Sequence, residues 1–419
     1  MSGPSRTMSL RSVGVRSRRV AVLGATVLAA GLAVSAPATA ATPTVLRVGV
    51  ASATCVAPTY PTIVAAVAAA ASGATIIVCP GVYTGTVVID KPLTLRGAHR
   101  GVDARAGRTD VTKESVIDGG GAAGIRITGA TSGVTVDGFT IRDSGTTLQT
   151  ADGIEAFGGG SGFTFIDNVV TQTTYGINMS SLGAMASSVA HNRFDSNNRT
   201  GGAGGSGVFI CCGPGDNLAI SDNLFIGHTS AAVNTAGDAA RPSTGLRIER
   251  NQSVDDVTFA VVVNATGASV ADNVVVRRPT ATVPVGSAFY VGGGTTNVVL
   301  TRNVVSEGAS TGIRVTNTFG VANVGLTVSG NQIIGRQNGM WLSGQTSGTV
   351  RDNNIANSSA VGIRLDADNT GVTVSGNRIA PGPLDCQDAS VGPRTLGTAN
   401  TWTGNLALHS TPKGICGVF

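Results

Sequence analysis

The pattern apolar-x-[Asp/Gly/Arg]-Asn-x-[Val/Ile] returns along most of this 419-residue chain. It reads Phe165-Ile166-Asp167-Asn168-Val169-Val170, then Val270-Ala271-Asp272-Asn273-Val274-Val275, then Val374-Ser375-Gly376-Asn377-Arg378-Ile379. Further copies centre on Asn223, Asn303, Asn331 and Asn353, looser ones on Asn192, Asn251 and Asn405, and Phe139 takes the Asn place in the earliest copy. Successive copies lie 22 to 31 residues apart. A period in the twenties, with one short apolar strand on each side of a fixed Asn, describes a solenoid in which every turn buries its apolar side against the next. Stacked turns lie about 4.8 Å apart, so the amides can bond to one another along the axis. Asn also tolerates left-handed backbone, which suits it to the bend itself.

The chain opens with Arg6, Arg11, Arg16, Arg18 and Arg19, an apolar run from Val20 to about Val34, and the small-residue site Ala38-Thr39-Ala40. This reads as a cleaved export leader spanning 1–40, with Sec and twin-arginine routes both open. The leader matters for charge. The chain has 29 Lys+Arg and 24 Asp+Glu; five of the arginines and none of the acids fall in the leader, leaving 24 of each sign beyond it. No basic stripe remains for nucleic acid, and no later segment is long enough to span a membrane. The expectation is a secreted monomer.

Six cysteines in an exported chain favour disulfides. Cys55 and Cys79 flank the N-terminal segment, Cys386 and Cys416 the C-terminal one, and pairing each couple would staple one end of the array. Cys211-Cys212 are adjacent; a bridge between them and two free thiols are both open. Residues 41–54 read as a flexible start. Tyr60 to Ser72 has helical apolar spacing and ends at Gly73, a cap for the first coils within 55–118. The coils proper occupy 119–410, and 411–419 is a tail. In each coil an apolar strand leads to the Asn, a short strand leaves it, and after a variable loop comes a strand such as Gly124-Ile125-Arg126-Ile127 or Gly312-Ile313-Arg314-Val315.

The three-strand coil, the Asn at one bend and the opening YPTIVAAVAAAASGATIIVCPGVY resemble secreted right-handed parallel β-helix proteins of the pectate-lyase-like superfamily. The resemblance implies an all-β, single-stranded right-handed parallel β-helix of about eleven coils, covering about residues 55–410. It leaves the activity open, since such folds carry lyases, hydrolases, esterases, epimerases and non-catalytic proteins. It also implies that the Gly-Ile strands and their flanking loops form the substrate groove.

Two surfaces are candidates. Outward positions on the Gly-Ile strands read Arg126, Glu155, Asn178, Phe209, Asn234, Val262, Tyr290, Arg314, Trp341 and Arg364. Aromatic faces and guanidinium forks suit an acidic sugar surface, with Glu155, Asn178, Phe209, Tyr290, Arg314, Trp341 and Arg364 as binding residues; an ordinary exposed β-face would look similar. Four or five residues past each Asn, His228, Asp255, Asp256 and Arg278 fall at one angular position on neighbouring coils. They supply the elements of a lyase, with Arg278 or His228 as base and Ca²⁺ held by Asp255 and Asp256, or of a two-carboxylate hydrolase. A solvated ladder of surface ion pairs would give the same letters. The residues lack the motif sets of polygalacturonases, pectin methylesterases and mannuronan epimerases, and Arg277-Arg278-Pro279-Thr280-Ala281-Thr282 gives only a fragment of the pectate lyase Arg-x-Pro-x-x-Arg signature. The expected function is therefore binding or processing of an extracellular acidic polysaccharide such as a cell-wall glycan, by a polysaccharide lyase or glycoside hydrolase, or alternatively a non-catalytic structural or carbohydrate-binding role.

Overall fold

The computed structural model describes residues 44–108, 110–145, 152–199, 204–237, 240–278, 286–308 and 310–417. The expected leader, the first residues of the 41–54 start and the fragment from Pro279 to Thr282 lie outside them. The described residues wind into a parallel β-solenoid of about thirteen turns and include one α-helix. Each turn visits three sheets. An entry strand such as Thr164–Ile166 meets the Asn bend, an exit strand such as Val169–Thr171 leaves it, and a front strand such as Ile154–Ala156 or Val361–Leu365 follows the loop. Twelve exit strands form a sheet of their own, from Gly81–Thr84 to Arg378–Ile379. Entry and front strands join into one hydrogen-bonded set through two 16-residue strands, Tyr175–Ala190 and Ser206–Ser221.

The expected eleven coils fall short because the first turns carry no Asn. Val45–Val48, in the span expected to be flexible, is the first entry strand and pairs in parallel with Ala74–Val78. Its alternation buries Leu46 and Val48, which gives it a sheet-facing side. The cap helix is shorter than the apolar spacing suggests and runs Ile63–Ala69. Thr62 caps it by accepting the Ala65 N–H at 3.2 Å, and Ile63, Ala66 and Val67 cover the open end of the core.

Inside, equivalent residues from successive turns touch. Phe194 and Phe225 stack with ring centroids 4.9 Å apart, and Phe259 meets Phe289, one register place along on the next turn, edge-on at 5.5 Å. Burying each such side chain contributes roughly 1.5–3 kcal/mol. At the bend the amides of Asn168, Asn192, Asn223, Asn251, Asn273, Asn303, Asn331, Asn353, Asn377 and Asn405 form one continuous ladder, with Nδ2 to Oδ1 distances of 2.8 to 3.1 Å. Each Oδ1 also accepts the backbone N–H of the ladder residue one turn earlier, as Asn168 does from Phe139 at 3.0 Å. Each Nδ2 donates a second bond to an entry-strand carbonyl.

One detail differs from expectation. The residue before each ladder Asn, and before Phe139, takes the left-handed backbone, with φ near 57° at Asp167 and Asp222 and 53° at Arg302, or Gly at 138, 330 and 376. The motif's Asp/Gly/Arg place is thus the bend, and the Asn beside it is free to point its amide inward.

Disulfides join Cys55 to Cys79 and Cys386 to Cys416, with Cα atoms 5.6 and 6.4 Å apart, at the two ends of the array. Cys211 and Cys212 are also bonded to each other, so no cysteine is free.

Candidate functional site

The outward column of the front sheet is in register from end to end. Arg126 pairs with Glu155, Glu155 with Asn178, Asn178 with Phe209, and Phe209 with Asn234. Val261 follows, then Tyr290, Arg314, Trp341 and Arg364. Val261 replaces the expected Val262, which is buried. The slip arises because Phe259 stands where the neighbouring front strands carry Gly or Ala, so the small residue that marks the register is missing there.

The column separates into two chemically distinct ends. Near its start, Arg126 Nε donates to Glu155 Oε2 at 2.5 Å. Beside them lies Asp152, fully buried, which accepts the Asn178 amide N–H on Oδ2 at 2.9 Å. Burial pushes the Asp152 carboxyl up to about 7; the Asn178 bond opposes this and the neighbouring Glu155 charge adds to it. Asp152 Oδ1 and Asn178 Oδ1 are buried with no hydrogen-bond partner among the described residues. Tyr175 stacks on Phe209 at 4.4 Å, closing this end. Sequence reasoning passed over Asp152. Its local signal is an acid directly before the Gly-Ile pair, in Asp152-Gly153-Ile154.

At the other end Trp341 lies between two guanidinium groups, Arg314 at 3.6 Å and Arg364 at 4.3 Å from the ring centroid. Asp366 ties the group together, accepting Trp341 Nε1–H at 2.7 Å and Arg364 Nε–H at 2.7 Å. Tyr290 Oη meets Thr318 Oγ1 at 2.6 Å. Burial lowers the Arg314 pKa, and its Nη1 is buried without a hydrogen-bond partner among the described residues. Trp341 therefore holds arginines in place, with a guanidinium over the ring from each neighbouring coil, where a sugar-stacking platform would need one face open.

The loop residues at the third bend form two separate pairs. His228 is fully buried; Nδ1–H donates to Asp256 Oδ1 at 2.6 Å and Nε2 accepts from Asn197 Nδ2 at 3.1 Å. Asp256 also accepts the His228 backbone N–H at 2.8 Å and the Ser253 hydroxyl at 2.6 Å. Asp255 takes left-handed backbone, φ 61°, and its side chain leaves on the opposite side. There it accepts the Arg278 backbone N–H at 2.7 Å and Nε–H at 2.5 Å, while Arg278 itself is largely exposed. His228 and Asp256 thus sit inside the bend and Asp255 and Arg278 outside it, so the four side chains share no cleft floor. With Asp256 held by His228 and Ser253, and Asp255 by Arg278, the pair does not present an oxygen cage for Ca²⁺. No three His, Cys, Asp or Glu side chains among the described residues are grouped to hold a metal.

The model of the family described as right handed beta helix region matches residues 88–253, 123–335 and 243–383. The chain belongs to that family. No curated protein matches its sequence. Among solved structures this right-handed β-helix protein is similar to a PL6 alginate lyase in complex with a trisaccharide, at 12% identity and TM-score 0.56, over 89% of this chain and 87% of that one. A mannuronan C-5 epimerase A-module from Azotobacter vinelandii aligns at 14% identity and TM-score 0.47, over 83% of this chain and 88% of that one. The catalytic unit of a GH87 α-1,3-glucanase from Streptomyces thermodiastaticus aligns at 14% identity and TM-score 0.49, over 81% of this chain and 64% of that one. At these identities the likeness is one of fold.

Proposed function

We propose that this β-helix protein acts outside the cell and binds an acidic polysaccharide along its front sheet. The observation that carries the reading is Arg314. Its guanidinium is fixed against Trp341, its buried Nη1 has no partner among the described residues, and it stands in one outward column with Arg126 and Arg364. A guanidinium N–H left without a partner is a donor for a carboxylate of the kind uronic acid polymers carry. The alginate lyase of similar fold, solved with a trisaccharide, supports the substrate class. Three disulfides support an oxidising compartment, and no helix among the described residues is long and apolar enough to cross a membrane.

Processing of the bound chain is the second reading, and Asp152 favours it. A carboxyl held near pH 7 beside a second carboxylate, Glu155, is the kind of pair that general acid–base chemistry uses. The test is a panel of uronic acid and neutral polymers, read by calorimetric binding and by release of unsaturated or reducing ends. Binding of uronic acid polymers that weakens at least tenfold in Arg314→Ala supports the proposal. Equal affinity for neutral polymers, or none for any, overturns it. Product release abolished by Asp152→Asn, with binding retained, makes the protein an enzyme.

A further inference from the structure

Inside the third bend a second ladder of polar side chains runs parallel to the Asn ladder. Thr173 Oγ1 lies 2.8 Å from Asn197 Oδ1, Asn197 meets His228, and His228 meets Asp256, so each of these coils is joined to the next. Further along the same bend the chemistry changes. Arg277 and Arg336 are both buried, Arg336 to 3% exposure, and the next coil places Ser358 at the position equivalent to Arg336. Arg336 Nε and Ser358 Oγ are buried donors without a hydrogen-bond partner among the described residues.

No ion pair joins Arg336 to an acid among the described residues. Burial, and secondarily the positive charge of Arg277, lowers its pKa to about 10. Glu307, on the intervening coil, turns outward and is exposed. The neighbouring stretches outside the description, 279–285 and Ala309, contain no Asp or Glu, so they supply no carboxylate either. Gly308 borders the guanidinium so closely that a Cβ there would lie 2.5 Å from Arg336 Nη1. A side chain there would collide with the guanidinium, so glycine at 308 lets Arg336 lie directly against the backbone of the preceding coil.

We propose that Arg336 and Ser358 form a binding site for a small oxyanion of the phosphate, sulfate or carboxylate type. A planar guanidinium offers two parallel N–H donors matched to two oxygens of such an ion, and the Ser358 hydroxyl adds a third donor from the next coil. The anion supplies the counter-charge that burial of Arg336 demands, and Arg277 adds to the local positive potential. The site lies inside the third bend, away from the front-sheet column, and does not depend on the polysaccharide reading.

The test is titration of the protein with sodium phosphate, sodium sulfate and glucuronate, with NaCl adjusted to hold ionic strength constant. Melting temperature and isothermal titration calorimetry are the readouts. The wild type is expected to show a saturable rise in melting temperature and one binding site. Arg336→Met should lose both, and Ser358→Ala should weaken binding several-fold. Should Arg336→Met not fold, Arg336→Lys keeps the charge without the fork and is expected to bind at least tenfold more weakly. Glucuronate binding alongside the inorganic ions would identify sugar carboxylates as ligands; binding of phosphate and sulfate alone would identify free inorganic oxyanions. A wild type without a saturable response, or unchanged affinity in Arg336→Lys, overturns the proposal.

Discussion

Arg314 lies over Trp341 from the preceding coil, its guanidinium carbon 3.6 Å from the ring centroid, and Arg364 lies over it from the following coil at 4.3 Å. The indole therefore spaces two like charges one coil apart on either side of it and shields each from the other. Trp341→Ala should cost about 2 kcal/mol, from two partly desolvated cation–π contacts and the Asp366 hydrogen bond. Trp341→Phe, which keeps a ring but not the N–H, should lose about half as much. Urea unfolding of the two variants against wild type checks the order. Equal losses would place the stability in the Asp366 bond and not in the stack.

Asp152 makes stability depend on pH with a definite sign. Its folded-state pKa, about 7, lies above the ordinary carboxyl value of 3.8, with burial the main cause. Between those values the folded chain holds a proton that the unfolded chain has released. Stability therefore falls as pH rises from about 4 to about 7 and levels off above. A shift of about three units corresponds to about 4 kcal/mol at most. Asp152→Asn keeps a hydrogen-bonding carboxamide beside Asn178 without the titration. It should match wild type near pH 4 and exceed it in melting temperature at pH 8. A constant difference across that range would show that Asp152 does not carry the pH dependence.

The fold was legible because the Asn period and the two-residue alternation of the strands are local signals. Together they placed nine of the ten outward front-sheet positions, and the tenth slipped by one residue where Phe259 replaces the small residue that marks the register. The turns before Phe139 carry no copy of the motif and went uncounted. The third bend was harder for a different reason. Spacing from the Asn gives an angular position but not the side of the backbone on which a side chain emerges. Left-handed residues there, Gln172, Ser196, Asp255, Glu307 and Asn357, turn neighbouring side chains to opposite sides. Hence Asp255 and Asp256, adjacent in sequence and both buried, pair on opposite sides, Asp255 with the exposed Arg278 and Asp256 with the buried His228. Asp152 stayed hidden because its character comes from burial among residues of other coils.

The two pairs at the third bend predict very different mutational costs. Asp256→Ala leaves the His228 ring N–H, the His228 backbone N–H and the Ser253 hydroxyl buried without an acceptor. At roughly 1–3 kcal/mol for each stranded group, a loss of about 3 kcal/mol or more is expected. Arg278→Ala removes an exposed guanidinium from a buried Asp255 that keeps the Arg278 backbone N–H, and should cost about 1–2 kcal/mol, less than Asp256→Ala. Chemical denaturation of the two variants separates them. Similar losses would mean that the inner ladder is not structurally privileged.

The Asn ladder makes a positional prediction that a set of independent turns would not. Asn273, in the middle, accepts the Asn251 backbone N–H at 3.0 Å and side-chain N–H at 3.1 Å, and donates to Ile248 O and Asn303 Oδ1, each at 2.9 Å. Asn273→Ala strands two buried donors above it and two acceptors around it. Asn405, at the far end of the ladder, accepts the same two bonds from Asn377 but donates along the chain only to Val374 O at 2.9 Å. Asn405→Ala therefore breaks one bond fewer and does so next to the disulfide between Cys386 and Cys416. The central substitution should cost about 3 kcal/mol or more and the terminal one less. It should also divide the unfolding transition, since a solenoid's cooperativity passes from each turn to its neighbours. Hydrogen exchange of the backbone amides of Asn251 and Asn377 reads the two sites directly. Faster exchange at Asn251 in the first variant than at Asn377 in the second is the expected result, and the reverse order would mean that the ladder contributes no more at its centre than at its end.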